Sequence, residues 1–318
     1  MRTLIVVSGG DAPGINTLIG HYVQIASGRG DQVFGARGGF PGLLSGHIVP
    51  VPLTDVLPWM GRAGSILPTS RDPVLSQSGA GERIQEQLRA HQIDHILLFG
   101  GNGTLRHIPP LLRTWGIPCI GIPTTIDNDV PGTEISLGFD SACNAAYHAI
   151  DGVLATGHAL NGRMFMVETL GGTCGRLALA VAHGAGAHAV LVPEFDYDEA
   201  WLADRLTAAL SKVGFALLVL CEGAKGARTL ADTLPQRTAV RMRDVRLGHA
   251  QRGATPSHRD RVLAAQMAQL ATAGFAGGVA NGIILVREGV PVLHQGGLPE
   301  GDTSPARALY DRINGLSD

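Results

Sequence analysis

The sequence predicts an α/β protein with mainly parallel sheets. Three observations carry this: short runs that are apolar throughout, amphipathic helical patterns between several of them, and glycine-rich or polar turns where most runs end. A strand covered by helices on both faces shows no alternation, so a continuous apolar run flanked by turn residues is its signature. In chain order the runs are TLIVV (3–7), HILLF (95–99), CIGI (119–122), MFMV (164–167), AVLV (189–192), FALLVL (215–220) and GIILV (282–286). Helical patterns such as GERIQEQLRAHQ (81–92) and DRVLAAQMAQLA (260–271) lie between them. Ligands of such sheets bind beyond the carboxyl ends of the strands, where these turns fall.

At 318 residues the chain exceeds the usual size of one domain, so two domains are expected. Hydrophobic residues make up 45% and charged residues 16%, with a formal charge of −2, which disfavours a broadly basic nucleic-acid binder and makes any anion site local. The first apolar run is too short for a signal-peptide core, and no segment approaches the length that crosses a bilayer. Cys119, Cys143, Cys174 and Cys221 form no CxxC pair, so buried reduced thiols are expected rather than disulfides or zinc ligands, and the twelve His form no HExxH pattern. A cytoplasmic enzyme of intermediary metabolism fits these bounds.

Several strand ends carry chemistry. In VVSGGDAPGINTLIG, Gly9 and Gly10 follow a buried strand and a helix is predicted from near Pro13, leaving backbone N–H groups for an anion; an ordinary tight turn is the alternative. FGGNGTL (99–105) is a second glycine-rich loop after a strand, of the kind that invites phosphate, with uncharged Asn102 at its centre. The chain lacks a GxxxxGK[ST] loop, so a Walker-type ATPase is not supported. In GIPTTIDNDVPGT, Asp127 and Asp129 follow a strand and can divide the roles of proton acceptor and metal or neighbour placement; for Asp129, ahead of Val130 and Pro131, an Asx turn is the alternative.

RLGHAQRGATPSHRDR brings together Arg246, His249, Arg252, Arg259 and Arg261, with Arg241 and Arg243 upstream. Guanidinium groups hold phosphate through paired hydrogen bonds, so this cluster in a nearly neutral chain points to a phosphorylated small molecule, Arg259 and Arg261 also fitting solvated surface charge. Arg163 with Glu168, and Glu222, add polar groups at two further strands, suited to sugar hydroxyls or to capping the next helix.

These pieces, in this order, resemble the phosphofructokinase family: SGGDAPGIN (8–16), GSILPTSR (64–71), GGNGT (100–104), TIDND (125–129), VPGTEISLGFDSA (130–142), VETLGGTCG (167–175), EG (222–223) and LGHAQRG (247–253). The resemblance implies two three-layer Rossmann-like domains with mainly parallel sheets, the chain crossing twice. Residues 1–138 with 251–300 would hold the phosphoryl donor, and 139–250 with 301–318 the sugar phosphate. It implies transfer from ATP with Mg²⁺ to the 1-hydroxyl of fructose 6-phosphate, in glycolysis, by a homotetramer. Carried over by motif, Asp127 takes the hydroxyl proton with Thr125 and Asp129 beside the reacting groups. Leu170, Gly171, Glu222, His249 and Arg252 hold the sugar phosphate, and Arg163 and Arg243 reach it across a subunit interface. Gly10, Arg71, Asn102, Gly103 and Thr104 face the donor, with Asn102 and Asp129 on the metal.

The chain departs from the family pattern in ways that the resemblance places on the donor half, the sugar half being intact. Asn102 replaces a magnesium-holding Asp, Gly172 replaces the arginine of an MGR motif, His107 stands where a small Gly leaves room for the nucleotide, and Phe40 replaces a Tyr. If Asn102 and Gly172 each withhold ~2–3 kcal/mol of transition-state stabilisation, the rate falls on the order of 10³–10⁴-fold. Arg176, four residues past Gly172 on the same expected helix, or Arg106, is expected to restore the positive charge. Pyrophosphate users of the family would have Asp at Gly103 and Lys at Thr124; Gly103 leans to ATP and Thr124 fits neither type. Gly20, Gln24 and His188 stand at positions of the bacterial effector site, so the usual ADP or phosphoenolpyruvate control is expected to be lost. Two alternatives remain at this point: a same-fold phosphotransferase using pyrophosphate or another sugar phosphate, and a sugar-phosphate-binding pseudoenzyme or regulatory subunit.

Overall fold

A computed structural model of the chain describes residues 1–71 and 73–316; the last two residues of the expected tail segment 301–318 lie outside the described residues. In chain order the first elements are β1 (Arg2–Val7), α1 (Ile15–Gly28), β2 (Gln32–Ala36), α2 (Gly39–Leu44), β3 (Ile48–Pro50), α3 (Leu53–Val56), α4 (Ala80–Ala90), β4 (His95–Gly100), α5 (Asn102–Thr114) and β5 (Cys119–Pro123). There follow α6 (Phe139–Ala159), β6 (Arg163–Thr169), α7 (Arg176–Ala185), β7 (Ala189–Leu191), α8 (Glu199–Val213), β8 (Phe215–Cys221), α9 (Leu230–Thr238) and β9 (Met242–Arg246). The chain ends with α10 (His258–Ala276), β10 (Asn281–Arg287), β11 (Val290–Gln295) and α11 (Arg307–Asn314).

The chain divides into two units. The first comprises Met1–Ile126, Val130–Asp140 and Thr255–Asp302, and the second Asp127–Asp129, Ser141–Ala254 and Thr303–Asp318. The first is built on a seven-stranded sheet in the order β11-β10-β5-β4-β1-β2-β3. Its central strands pair in parallel, and β11 and β3 close the two edges antiparallel. The strands read as continuous apolar runs because helices cover both faces: every residue of β4 is buried. The second unit has a four-stranded, wholly parallel sheet in the order β7-β8-β6-β9. Asn314 pairs its side-chain amide with both backbone groups of Val190, at 2.8 and 3.0 Å, and so satisfies the outer edge of β7.

Four strands carry no such run and escape the sequence reading: β2, β3, β9 and β11. β9 (MRDVR) is mostly exposed and is held as a strand by its backbone pairing with β6 rather than by its own side chains. One polar network lies inside the first sheet's covering: Thr3 Oγ1 is 2.8 Å from Tyr22 Oη and 2.7 Å from His95 Nε2, and the His95 ring stacks on Phe275 with centroids 3.6 Å apart. Burial pushes the His95 imidazole down to about 4, because the charged ring would be desolvated. None of the four cysteines forms a disulfide, and all are buried. Among the described residues no helix is long and apolar enough to cross a membrane.

Candidate active site

In the first unit, β1 and β4 end side by side and two glycine-rich turns meet. Ser8 N donates to Phe99 O at 2.9 Å, Gly9 N donates to Ser70 O at 3.0 Å, and Thr104 Oγ1 bonds Ser8 O at 3.3 Å. Gly9 has φ +95°, a backbone only glycine adopts cheaply, and a Cβ there would touch Thr104 Oγ1 at 3.5 Å. Helix α5 starts at once after β4, with Gly101 as a cap that offers no side-chain acceptor. Its first N–H groups therefore have no helical partner and carry the positive end of the helix dipole. A Cβ at Gly103 would meet nothing within 4 Å, so the approach to those N–H groups is open.

Beside this helix start lies a cavity of about 590 Å³. Phe40, Pro41, Pro73, Leu75, Ile108 and Leu111 form its apolar walls, while Arg71, Ser76 and His107 add polar groups. Gly103 and Thr104 line it; Gly10 sits in the turn after β1, and Asn102 is the first residue of α5. The Asn102 side-chain oxygen is buried without a hydrogen-bond partner, an oxygen left available for a cation. Pro109 and Pro110 lie inside α5 and remove two donors from its ladder just past His107. Thr125 is buried; its N–H donates to Leu137 O at 3.2 Å and its carbonyl accepts from Ser136 Oγ at 2.7 Å.

In the second unit, the predicted sugar-side residues gather largely at the carboxyl ends of β6, β8 and β9. Leu170 N donates to Gln251 Oε1 at 2.7 Å, and Gln251 Nε2 bonds Ala142 O at 3.3 Å, tying the turn after β6 to the helical turn 248–253 that carries His249 and Arg252. Gly171 has φ +138° and is buried; a Cβ there would lie 2.4 Å from Cys174 O. Gly172 N donates to Glu222 Oε1 at 3.1 Å, and Glu222 N to Thr169 O at 2.9 Å, so the Glu222 carboxylate is braced against this turn. Glu168, near the end of β6, has its carboxyl raised by burial, with Arg246 opposing.

The Asp127–Asp129 loop also belongs to the second unit. One oxygen of each carboxylate is buried, and Asn128 between them is buried at φ +54°. Its carbonyl accepts from Arg176 Nη1 at 3.2 Å, and the Asp127 carbonyl lies 3.6 Å from Cys174 Sγ. Burial pushes the Cys174 thiol up to about 11.

One expectation changes. Gly172 and Arg176 do not share a helix: Gly172 sits in the turn at φ +58°, and α7 begins only at Arg176. Asn102 and His107 belong to the first unit, while Gly172 lies in the second, bonded to Glu222. Arg163 starts β6 while Leu170 follows that strand's end, a separation of roughly 20 Å at the strand rise. Arg243 is also near the start of its strand, paired with Phe165. His188 is structural, its Nδ1 accepting from Leu217 N at 2.9 Å, and a Cβ at Gly20 would fall 2.3 Å from Met60 Cγ, so the place of a longer side chain is filled. Sequence reasoning passed over Gln251 and Cys174; both lie within quoted motifs, but their function is to bond backbone groups distant in sequence.

One unit thus carries a glycine-lined approach to a helix start, and the other a carboxylate braced by a backbone N–H. Residues 2–274 match the family model described as phosphofructokinase, and the chain belongs to the phosphofructokinase family. It is 34% identical over 290 residues to the ATP-dependent 6-phosphofructokinase of Coxiella burnetii, covering 91% of this chain and 89% of that protein. It is 37% identical over 289 residues to the ATP-dependent 6-phosphofructokinase of Lactobacillus delbrueckii subsp. bulgaricus, covering 88% and 90%. Among solved structures, the phosphofructokinase of Saccharomyces cerevisiae superposes with a TM-score of 0.85 at 23% identity, over 92% of this chain and 44% of that one. The pyrophosphate-dependent phosphofructokinase of Marinobacter aquaeolei gives 0.83 at 22%, over 99% and 91%. At these identities the structures speak for the fold alone.

Proposed function

We propose that this chain transfers the terminal phosphoryl group of ATP to the 1-hydroxyl of fructose 6-phosphate, the committing step of glycolysis. The observation that carries the reading is the cavity at the start of α5. Apolar walls enclosing about 590 Å³ suit a nucleobase, whereas bare pyrophosphate would leave them unfilled. The names of the 34–37% identical relatives support the same donor and acceptor.

In this reading the first unit is the donor unit. Gly10, Gly103 and Thr104 let phosphates approach the N–H groups of α5, Arg71 pairs with phosphate oxygens, and Thr125 stands beside the reacting groups. The second unit holds the acceptor: Glu222 binds sugar hydroxyls, Leu170 and Gly171 shape the turn against it, and His249 and Arg252 hold the sugar phosphate. Asp127 takes the hydroxyl proton as the oxygen attacks. Arg163 and Arg243, set apart from the other sugar residues, serve a neighbouring subunit in a homotetramer.

Mg²⁺ is proposed as cofactor, with Asn102 and Asp129 as ligands; the orphaned Asn102 oxygen fits a hard cation. When bound, magnesium neutralises charge on the phosphates. A cytoplasmic location accords with this role.

Calorimetry with fructose 6-phosphate, then turnover with ATP or pyrophosphate in the presence of magnesium, tests the reading. ATP turnover supports it. Turnover with pyrophosphate alone, or sugar binding without any donor binding, would replace it with another phosphotransferase or with a sugar-phosphate sensor.

A further inference from the structure

Arg176 stands at the first position of α7, where the helix dipole disfavours a cation by about 0.3–1 kcal/mol, and the first turn has no acidic residue of its own, the carboxylate at this helix start being that of Glu194 on Gly175 N. Helix stability does not account for arginine at this place. Its half-buried guanidinium instead spans two backbone segments: Nη1 donates to Asn128 O at 3.2 Å and Nε to Ser304 O at 3.4 Å. Two residues earlier Cys174 repeats the pattern one step along each segment, its Sγ lying 3.6 Å from Asp127 O and 3.8 Å from Thr303 O. One turn of chain thus holds two consecutive carbonyls of the carboxylate loop and two of segment 303–304.

The loop needs such holding. Asn128 is buried in the left-handed region, a conformation that costs on the order of 1 kcal/mol and persists only where its surroundings impose it. Asp127 and Asp129 flank it with like charges, and Glu194 adds a third carboxylate to the same cluster, bonded to Gly175 N at 2.8 Å. Arg176 is a cation bonded directly to this loop, through the Asn128 carbonyl.

We propose that Arg176 is a positioning residue for the phosphoryl transfer: by its hydrogen bond to the Asn128 carbonyl it sets the backbone that carries Asp127 and Asp129, and it places a permanent positive charge beside them. It acts through the carboxylate loop and not from the helix face beside Gly172, where the chain has no side chain at all. The inference rests on the reading of Asp127 as the proton acceptor.

The test compares Arg176→Ala, Arg176→Lys and Arg176→Met with Asp127→Asn in the full-length protein, reading kcat, the KM for fructose 6-phosphate, and thermal unfolding. Misplacing a reacting group by about 1 Å costs on the order of 10²-fold, so Arg176→Ala and Arg176→Met should lower kcat by about that factor while KM changes by less than about threefold. Lys, which keeps the charge and one donor, should recover much of the loss; Met, which keeps only the stem, should not. A kcat within about twofold of wild type for Ala and Met, or equal recovery by Met and Lys, overturns the proposal and leaves a packing role. Should Arg176→Ala not fold, the Lys and Met pair decides alone. An Asp127→Asn variant with wild-type turnover removes the proton-acceptor reading and this inference with it; an inactive Asp127→Asn beside an unaffected Arg176→Met removes only the inference.

Discussion

Around the cavity of the seven-stranded unit the chain presents glycine, proline, apolar side chains and the free N–H groups of a helix start, with Arg71 and His107 at its margin. The four-stranded unit presents a different surface: Glu222, Gln251 and Arg176 each reach a backbone group far away in sequence. The N–H groups of the helix start are offered whatever side chain stands at position 102, because a backbone group depends on the shape of the turn. A site built on side chains depends on each of them. Gly172 is the exception there: without a side chain, it contributes the backbone N–H that steadies Glu222.

The comparison breaks most sharply at Asp127. Asp127→Asn should reduce kcat by about 10²–10⁴-fold, the usual contribution of a proton acceptor, with sugar affinity retained in calorimetry. Next comes restoration: Asn102→Asp with Gly172→Arg should raise kcat on the order of 10³-fold if the departures in both units limit the rate. A Cβ at 172 meets nothing within 4 Å, so the first carbon of the new side chain has room, at the cost of a strained φ. Unchanged kcat in the folded double variant would show that the present residues already do this work.

A third measurement concerns the first unit's stability. The His95 imidazole, held down to about 4 against its usual 6.5, takes up a proton more readily in the unfolded chain, so the fold loses stability as pH falls from about 6.5 to about 4. The loss is up to about 3 kcal/mol. Urea unfolding at several pH values should show this slope, and His95→Gln should flatten it. The smallest effect is expected at Glu222: Glu222→Gln keeps an acceptor for Gly172 N and should raise the KM for fructose 6-phosphate about 10-fold with kcat nearly constant, reflecting the weaker neutral hydrogen bond.

The seven buried runs were legible because a strand covered on both faces must be apolar throughout, and they locate every internal strand of both sheets except β2, whose QVFGA is broken by an exposed Gln32 and by Gly35. The edge strands β3, β9 and β11 were not, since half-exposed residues such as those of Met242–Arg246 carry no pattern of their own and become strand by pairing with a neighbour. The glycine turns were legible for the complementary reason: positive φ at Gly9 and Gly171 is a demand that the residue type itself discloses.

The sequence by itself determined the α/β class, the family, and the residue types at each strand end, because burial and backbone conformation act locally on composition. Tertiary structure decided which of those residues share a unit. Gly172 is braced on Glu222, Arg176 reaches Asn128 from the start of a helix, and Arg163 stands at the far end of its strand from Leu170. Such pairings depend on strand order and loop path, and hydrogen bonds between residues about 50 positions apart leave no trace in local spacing.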